Sequence, residues 1–319
     1  MKAAVVQGPH QTPIYGEFDE PTPRNGSTIV HVAASALSNA TRARASGSHY
    51  SMAGVFPLVP GVDGVGRTES GTRVGFLLAT APFGGMAEKT LVPEALCLPV
   101  PDNVSDVLAA AIINPGQSPI SALRTRAILQ PGETVLINGA TGTTGQIAVQ
   151  IAAKHLGAGR VIATGRSSDV LARLRELGAD DTIDLTADAD VVQDALAAHL
   201  ADGGIDIVLD YLSGSPTEIV LAACARSHKA AKPVRYVIAG GAAGQSTSVP
   251  TSVLGSTSLV VMGSGIGAVR VPDIVQSATE ALQIIGSANL QIDLTELPLD
   301  KVEKAWTTDY GRSRVVFTI

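Results

Sequence analysis

The residues Gly139-Ala140-Thr141-Gly142-Thr143-Thr144-Gly145 carry the chemistry most readily read in this chain. Small residues at a tight turn let the backbone approach a pyrophosphate, and a helix starting there offers unpaired N–H groups and a dipole to the anion. The turn has the form Ala140-x-Gly142-x-x-Gly145, with Gln146 where a P-loop needs Lys, so a dinucleotide site is favoured over a nucleoside-triphosphate loop. Roughly 20 residues further on, a site for NADH places a carboxylate on the ribose hydroxyls. Here the corresponding strand runs into Gly165-Arg166-Ser167-Ser168. Gly165 leaves room, Arg166 offers a planar fork of donors, and Ser167 adds a hydroxyl, a set suited to a 2′-phosphate. The expected cofactor is therefore NADPH (NADP+ when oxidised).

The elements around the turn fit that role. Glu133–Asn138 is a β-branched apolar run, as a strand buried on both faces requires, and Pro131-Gly132 punctuates it in front. Gln146–Leu156 carries apolar residues at helical spacing and stops at Gly157. Beyond it, strands and helices alternate: Val161–Thr164, Asp169–Leu177, Thr182–Leu185, Asp190–Leu200, Ile205–Leu209, Pro216–Ala225, Val234–Ala239 and Leu259–Met262. Such alternation predicts a doubly wound parallel sheet. Before it, Lys2–Val6, Ser27–Ala33, Arg73–Leu78 and Glu88–Leu91 read as short strands, with a helical turn in Leu37–Gly47. Val104–Ile113 and Ser121–Leu129 read as two helices separated by Asn114-Pro115-Gly116. Val271–Ile285 reads as an amphipathic helix and Arg314–Thr318 as a closing strand. The expected domains are a β-rich unit, residues 1–117 and 287–319, and a Rossmann dinucleotide-binding unit, residues 118–286.

Bulk properties narrow the class. The chain has 319 residues, is 45% hydrophobic, and its net charge of −6 comes with no basic cluster, which counts against nucleic acid as a partner. No run approaches the roughly 18 apolar residues of a membrane span, and the apolar start is cut by Pro9 before it could serve as a signal peptide. Only Cys97 and Cys224 occur, so a disulfide framework and a cysteine-rich zinc site are excluded, and a cytoplasmic setting is expected. Gly-x-Ser-x-Gly, His-Glu-x-x-His and Cys-x-x-Cys are missing, which removes the common hydrolase and metalloprotease readings.

An ordered set of segments then resembles a known family. Pro60-Gly61-Val62-Asp63-Gly64-Val65-Gly66, Gly71-Thr72-Arg73-Val74, Gly84-Gly85-Met86-Ala87-Glu88, Gly116–Leu123, Gly139–Gly145, Leu177-Gly178-Ala179-Asp180 and Gly311–Val316 span most of the chain. Together they resemble the zinc-independent medium-chain dehydrogenase/reductases, in the quinone oxidoreductase (zeta-crystallin-like) branch. The resemblance implies an α/β fold in which a GroES-like β-rich catalytic domain accompanies the Rossmann domain. It also puts Ser38, Val62 and Pro115 where zinc-dependent relatives carry metal ligands, and none of the three suits a soft tetrahedral site. No metal is expected.

By family position, Tyr211, Ala239, Gly240, Gly263, Ser264, Gly265 and the tail residue Arg312 are implied to reach the cofactor. Tyr50 is the implied proton donor, with His49 behind it, while Asn39 and Asn114 are implied to polarise the substrate. The expected reaction is hydride transfer from NADPH to a quinone or an activated alkene (enone or enal). An enoyl-thioester reductase of CoA or polyketide type, and a non-catalytic NADPH-binding crystallin-like protein, stand as alternatives. The uncharged run Leu259–Met262 would pair with a second copy, so a homodimer through the last Rossmann strand is expected.

Overall fold

The computed structural model describes residues 1–47, 55–201, 204–227 and 232–319. Two compact units emerge, one of Met1–Gln117, Val275–Ile285 and Ile292–Ile319, the other of Ser118–Ile274 and Gly286–Gln291.

The first unit is built on β1 (Lys2–Val5), β2 (Ile14–Glu17), β3 (Ser27–Ala36), β4 (Asp63–Thr68), β5 (Arg73–Leu77), β6 (Lys89–Pro93) and β7 (Cys97–Pro99). Helix α1 (Asn39–Ala45) follows β3, and α2 (Asp106–Ile120) closes the segment. β1 and β2 form an antiparallel hairpin, while β3 is the hub of the main sheet, paired with β4 and β6. The glycines of β4 are dictated by crowding: a Cβ on Gly66 would lie 2.1 Å from the His31 carbonyl oxygen, and one on Gly64 2.5 Å from the Phe76 ring. This strand is hidden in the sequence because its glycines read as a turn.

The second unit carries β8 (Thr134–Asn138), α3 (Thr143–Lys154), β9 (Arg160–Gly165), α4 (Ser168–Leu177), β10 (Asp181–Asp184) and α5 (Ala189–Ala201). It continues through β11 (Ile207–Asp210), α6 (Ser215–Ser227), β12 (Val234–Ile238), α7 (Thr251–Ser256) and β13 (Leu259–Gly263). Every pairing is parallel and the spatial order is β10-β9-β8-β11-β12-β13. That is the doubly wound dinucleotide-binding order, reversing direction between β8 and β11. Alternate residues of one strand feed opposite cores, Val135 and Ile137 packing with α3 and α4 while Leu136 joins α5 and α6. Among the described residues no helix is long and apolar enough to cross a membrane.

The chain then returns through α8 (Val271–Gln283), β14 (Leu294–Pro298), α9 (Val302–Thr307) and β15 (Arg314–Thr318). β15 pairs antiparallel with β3 and parallel with β14, completing the first unit's sheet. From Val275 onward α8 clusters with the first unit, whereas the sequence pattern assigns it to the nucleotide domain. Small residues explain this: a Cβ on Gly116 would meet Ala281 Cβ at 2.7 Å, so α8 lies directly against α2 there. Gly286–Gln291 belongs to the second unit because Gln150 on α3 clamps Gln291, donating to its carbonyl at 2.9 Å and accepting from its N–H at 2.8 Å.

Helix α2 also departs from expectation. It runs through Pro115 and Pro119 into a wide helical turn over Ser121–Arg126, with the Ala127 N–H reaching the Ala122 carbonyl at 2.9 Å. A proline at 115 ordinarily ends a helix. Instead Asp63 in β4 accepts from the Asn114 N–H at 3.3 Å, supplying a partner at the point of disruption, and burial of Ile112, Ile113, Ile120 and Leu123 holds the rod together.

Candidate dinucleotide site

All five residues of β8 are buried, and the chain leaves it at Gly139 with φ +86°. A side chain there would be strained and would also strike Leu212 at 2.8 Å. The turn is pinned to the neighbouring strand: the Gly139 N–H donates to Thr164 Oγ1 at 3.2 Å and the Ala140 N–H to the Thr164 carbonyl at 2.7 Å. Gly142 is the N-cap of α3, extended at φ −78° and ψ 163°, and has no side chain with which to cap it. The N–H groups of Thr143, Thr144 and Gly145 therefore open the helix without intrahelical acceptors, at the positive end of its dipole. Gly145 brings helix and strand together, since a Cβ there would lie 2.4 Å from the Gly139 carbonyl oxygen. Ala140, Thr141, Gly142, Thr143, Thr144 and Gly145 thus form one anion-accepting turn, as a pyrophosphate requires.

At the end of β9, Arg166 is exposed and forms no hydrogen bond or ion pair with a described residue. Its guanidinium can turn to an anion without first breaking such a bond. The other two residues expected to serve the 2′-phosphate are placed differently. Ser167 Oγ donates to Asp169 Oδ1 at 2.8 Å, so its hydroxyl already has an acceptor. Gly165 is buried and borders no open space, because Thr141 reaches across from the glycine turn and fills the volume in front of it.

At the reversal point, the ends of β8 and β11 are tied by a buried polar cluster that the sequence does not reveal. Asp210 accepts from Asn138 Nδ2 at 3.1 Å, Thr217 Oγ1 at 2.6 Å, the Leu212 N–H at 2.7 Å, the Ser213 N–H at 3.2 Å and the Tyr236 hydroxyl. Asn138 Oδ1 in turn accepts from Thr164 Oγ1 at 2.7 Å. Burial first, and then the Asp210 carboxylate, push the Tyr236 phenol well above its ordinary pKa, so it remains a donor. An acidic residue closing an otherwise apolar strand is its local sign, but the partners come from other elements. With five donors the carboxylate is a fixed brace for the strand ends.

The remaining cofactor candidates of this unit cluster at the same sheet edge. Tyr211 follows Asp210, accepts from Ser118 Oγ at 3.5 Å, and has its phenol pushed up by burial. The Ala239 and Gly240 N–H groups both point back to the Asp210 carbonyl, and a Cβ on Gly240 would crowd the Tyr211 backbone at 2.7 Å. Gly263 ends β13 with its carbonyl taken by Arg126 Nε at 2.8 Å. Ser264 donates its N–H to the Ile238 carbonyl, and the Gly265 carbonyl accepts from Ala268 and Val269.

Ser38 is the N-cap of α1, its Oγ accepting from the Thr41 N–H at 3.0 Å, and Val62 is buried. Pro115 lies inside α2. Neither a capping hydroxyl, an aliphatic side chain nor a proline ring suits zinc, and no cluster of metal-ligating side chains occurs among the described residues. Asn39 is exposed on the first turn of α1, and Asn114 is half-buried in α2; neither side-chain amide has a hydrogen-bond partner among the described residues. Arg312 is half-buried in the turn before β15. Tyr50 and His49 lie outside the described residues.

Beside these, Asp63 is fully buried with Arg314 Nη2 3.6 Å from its Oδ2, while its Oδ1 has no hydrogen-bond partner among the described residues. Burial raises the Asp63 carboxyl to about 6 in spite of the cation, and burial also lowers Arg314.

Among known proteins the chain is similar to quinone oxidoreductase-like protein 2 of Bos taurus, at 30% identity over 261 residues, 78% of this chain and 72% of that protein. The chain belongs to the quinone oxidoreductase type of medium-chain dehydrogenase/reductases. A second member of this family, the "Probable NADPH-dependent quinone reductase tdiC" of Emericella nidulans, is 26% identical across 95% of this chain and 96% of its own. The quinone oxidoreductase of Thermus thermophilus, solved also with NADPH, shares the fold with a TM-score of 0.82 at 27% identity, covering all of both chains. Residues 143–284 match the family model described as zinc-binding dehydrogenase, a stretch that excludes Ser38, Val62 and Pro115.

Proposed function

We propose that the chain is an NADPH-dependent reductase that delivers hydride to a small quinone or activated alkene without a metal. The observation that carries the cofactor assignment is Arg166, an exposed cation with no partner among the described residues, at the end of the second Rossmann strand where an NADH site holds a carboxylate. The relatives named for NADPH support the same choice. When bound, NADPH supplies the hydride. The chain's residues hold it: the first-turn N–H groups of α3 take the pyrophosphate, Arg166 the 2′-phosphate, and the Asp210 cluster fixes the spacing of the strands beneath.

Without a Lewis acid, polarisation of the acceptor falls to neutral donors. The amides of Asn39 and Asn114 are the candidates, with Tyr50 as proton donor where a carbon–carbon double bond is reduced. A quinol oxygen takes its proton from water. Small acceptors are favoured over CoA thioesters because Arg42 on α1 is engaged and not free for a thioester's phosphates: it donates to the Trp306 carbonyl and stacks 5.1 Å over the Trp306 ring. We further propose a homodimer formed through β13, an edge strand on which Val260 and Val261 are 44% and 40% exposed.

Titration of NADPH fluorescence, followed by oxidation with 1,4-benzoquinone, a 2-alkenal and crotonyl-CoA, tests the reading. Turnover with quinone or alkenal supports it, crotonyl-CoA as the sole acceptor points to the thioester reductase, and binding without turnover to the crystallin-like alternative. Y50F that loses alkenal but keeps quinone turnover would mark Tyr50 as the donor.

A further inference from the structure

A glycine at 165 suggests room for a phosphate, yet its face is occupied. A Cβ on Gly165 would lie 2.2 Å from Thr141 Cγ2, 2.7 Å from Thr141 Oγ1 and 2.9 Å from Thr141 Cβ. The last distance matters most. Rotation of Thr141 about χ1 moves its methyl and hydroxyl aside but leaves its Cβ in place, so no rotamer admits a side chain at 165.

The backbone on both sides is held as well. Gly139 and Ala140 are bonded to Thr164, Gly142 donates its N–H to the Gly139 carbonyl, and Gln146 Nε2 donates to the Thr141 carbonyl at 3.3 Å. Thr141 cannot retreat without unmaking the turn that receives the pyrophosphate. Its own hydroxyl has no partner among the described residues, so the residue is held there by packing rather than by a bond.

We propose that Thr141 is a specificity-determining residue, a steric lock on the end of β9. By filling the space that a strand-terminal Asp or Glu would need, it bars the carboxylate mode of ribose recognition and leaves Arg166 as the group that reads the cofactor's 2′ position. Residue 165 can therefore gain a side chain only if residue 141 changes with it. The proposal rests on the NADPH reading above for its functional half, while its steric half stands alone.

Six variants (G165A, G165D, T141G, T141G/G165A, T141A/G165A and T141G/G165D) test it, with urea denaturation and fluorescence titration of NADPH and NADH as readouts. G165A should lower the urea midpoint; adding T141G should restore most of the loss, and adding T141A, which keeps the Cβ, should not. G165D alone should weaken both cofactors by about ten-fold or more, because accommodating it displaces the turn. T141G/G165D should bind NADH at least about ten-fold more tightly than G165D does, and should lose the wild-type preference for NADPH. Wild-type stability in G165A, or an NADH preference in G165D with Thr141 intact, would overturn the lock. Equal affinity of the wild type for both cofactors would overturn the NADPH reading instead, with the denaturation series still reporting on the packing.

Discussion

Arg166 carries its charge without a carboxylate partner among the described residues, and that makes it a clean target. A charge-assisted hydrogen bond contributes about 1.5–3 kcal/mol. R166A should accordingly raise the Kd for NADPH by about ten- to a hundred-fold and leave NADH within about two-fold, as read by fluorescence titration. Equal weakening of both cofactors would show that the residue reads something other than the 2′-phosphate. Asp63 gives a second prediction at this scale. Its carboxyl is raised to about 6 in the folded state and relaxes to its ordinary value, near 4, on unfolding. The folded protein then holds the proton more tightly, so the contribution is fully present below about pH 4 and is lost as pH rises towards 6. The swing is about 3 kcal/mol at most, from 1.36 kcal/mol per pKa unit. D63N should remove that part of the pH dependence of the urea midpoint, and superimposable profiles for the two proteins would refute the assignment.

Helix α1 gives Ser38 a structural task, that of its N-cap. Ser38 spends its hydroxyl on the Thr41 N–H, so S38A should cost about 1 kcal/mol of stability, measured by denaturation. A loss of zinc on the same substitution would contradict the metal-free reading. The parallel strands around α3 are legible in the sequence because burial on both faces demands unbroken apolar runs, of which Val135–Ile137 and Ile207–Leu209 are examples. The strand β4 is not, since its glycines answer to neighbours (His31 and Phe76) whose approach no local pattern announces. The passage of α2 through Pro115 is equally hidden, depending on a carboxylate 51 positions before Asn114 in the chain. At the site, the glycine turn and Arg166 are readable from local spacing. The Asp210 cluster and the Thr141 contact are not, because each joins residues from separate strands.

For the whole molecule, the proposed dimer turns on the open side of β13. An edge strand with apolar residues exposed and no charge guarding it is a surface for pairing with a second copy. Light scattering at micromolar concentration should give a dimer, and V261K should convert it to a monomer with cofactor binding retained. A monomeric wild type would remove the proposal. The two thiols differ as well: Cys224 has its pKa pushed up to about 12 by burial, whereas Cys97 is only partly covered. Thiol reagents should therefore label Cys97 first in the native protein.

The pairing of β15 with β3 sets an order of events during synthesis. The six strands of the parallel sheet have all been made once Gly263 is added. The other sheet begins with Ser27 yet lacks two of its strands until Leu294–Pro298 and Arg314–Thr318 emerge. On a ribosome adding about 5–20 residues per second, the flank of β3 destined for β15 waits for roughly ten seconds or more. The unit whose strands begin earlier is thus the later of the two to be completed, and β3 keeps one flank without its partner strand until then.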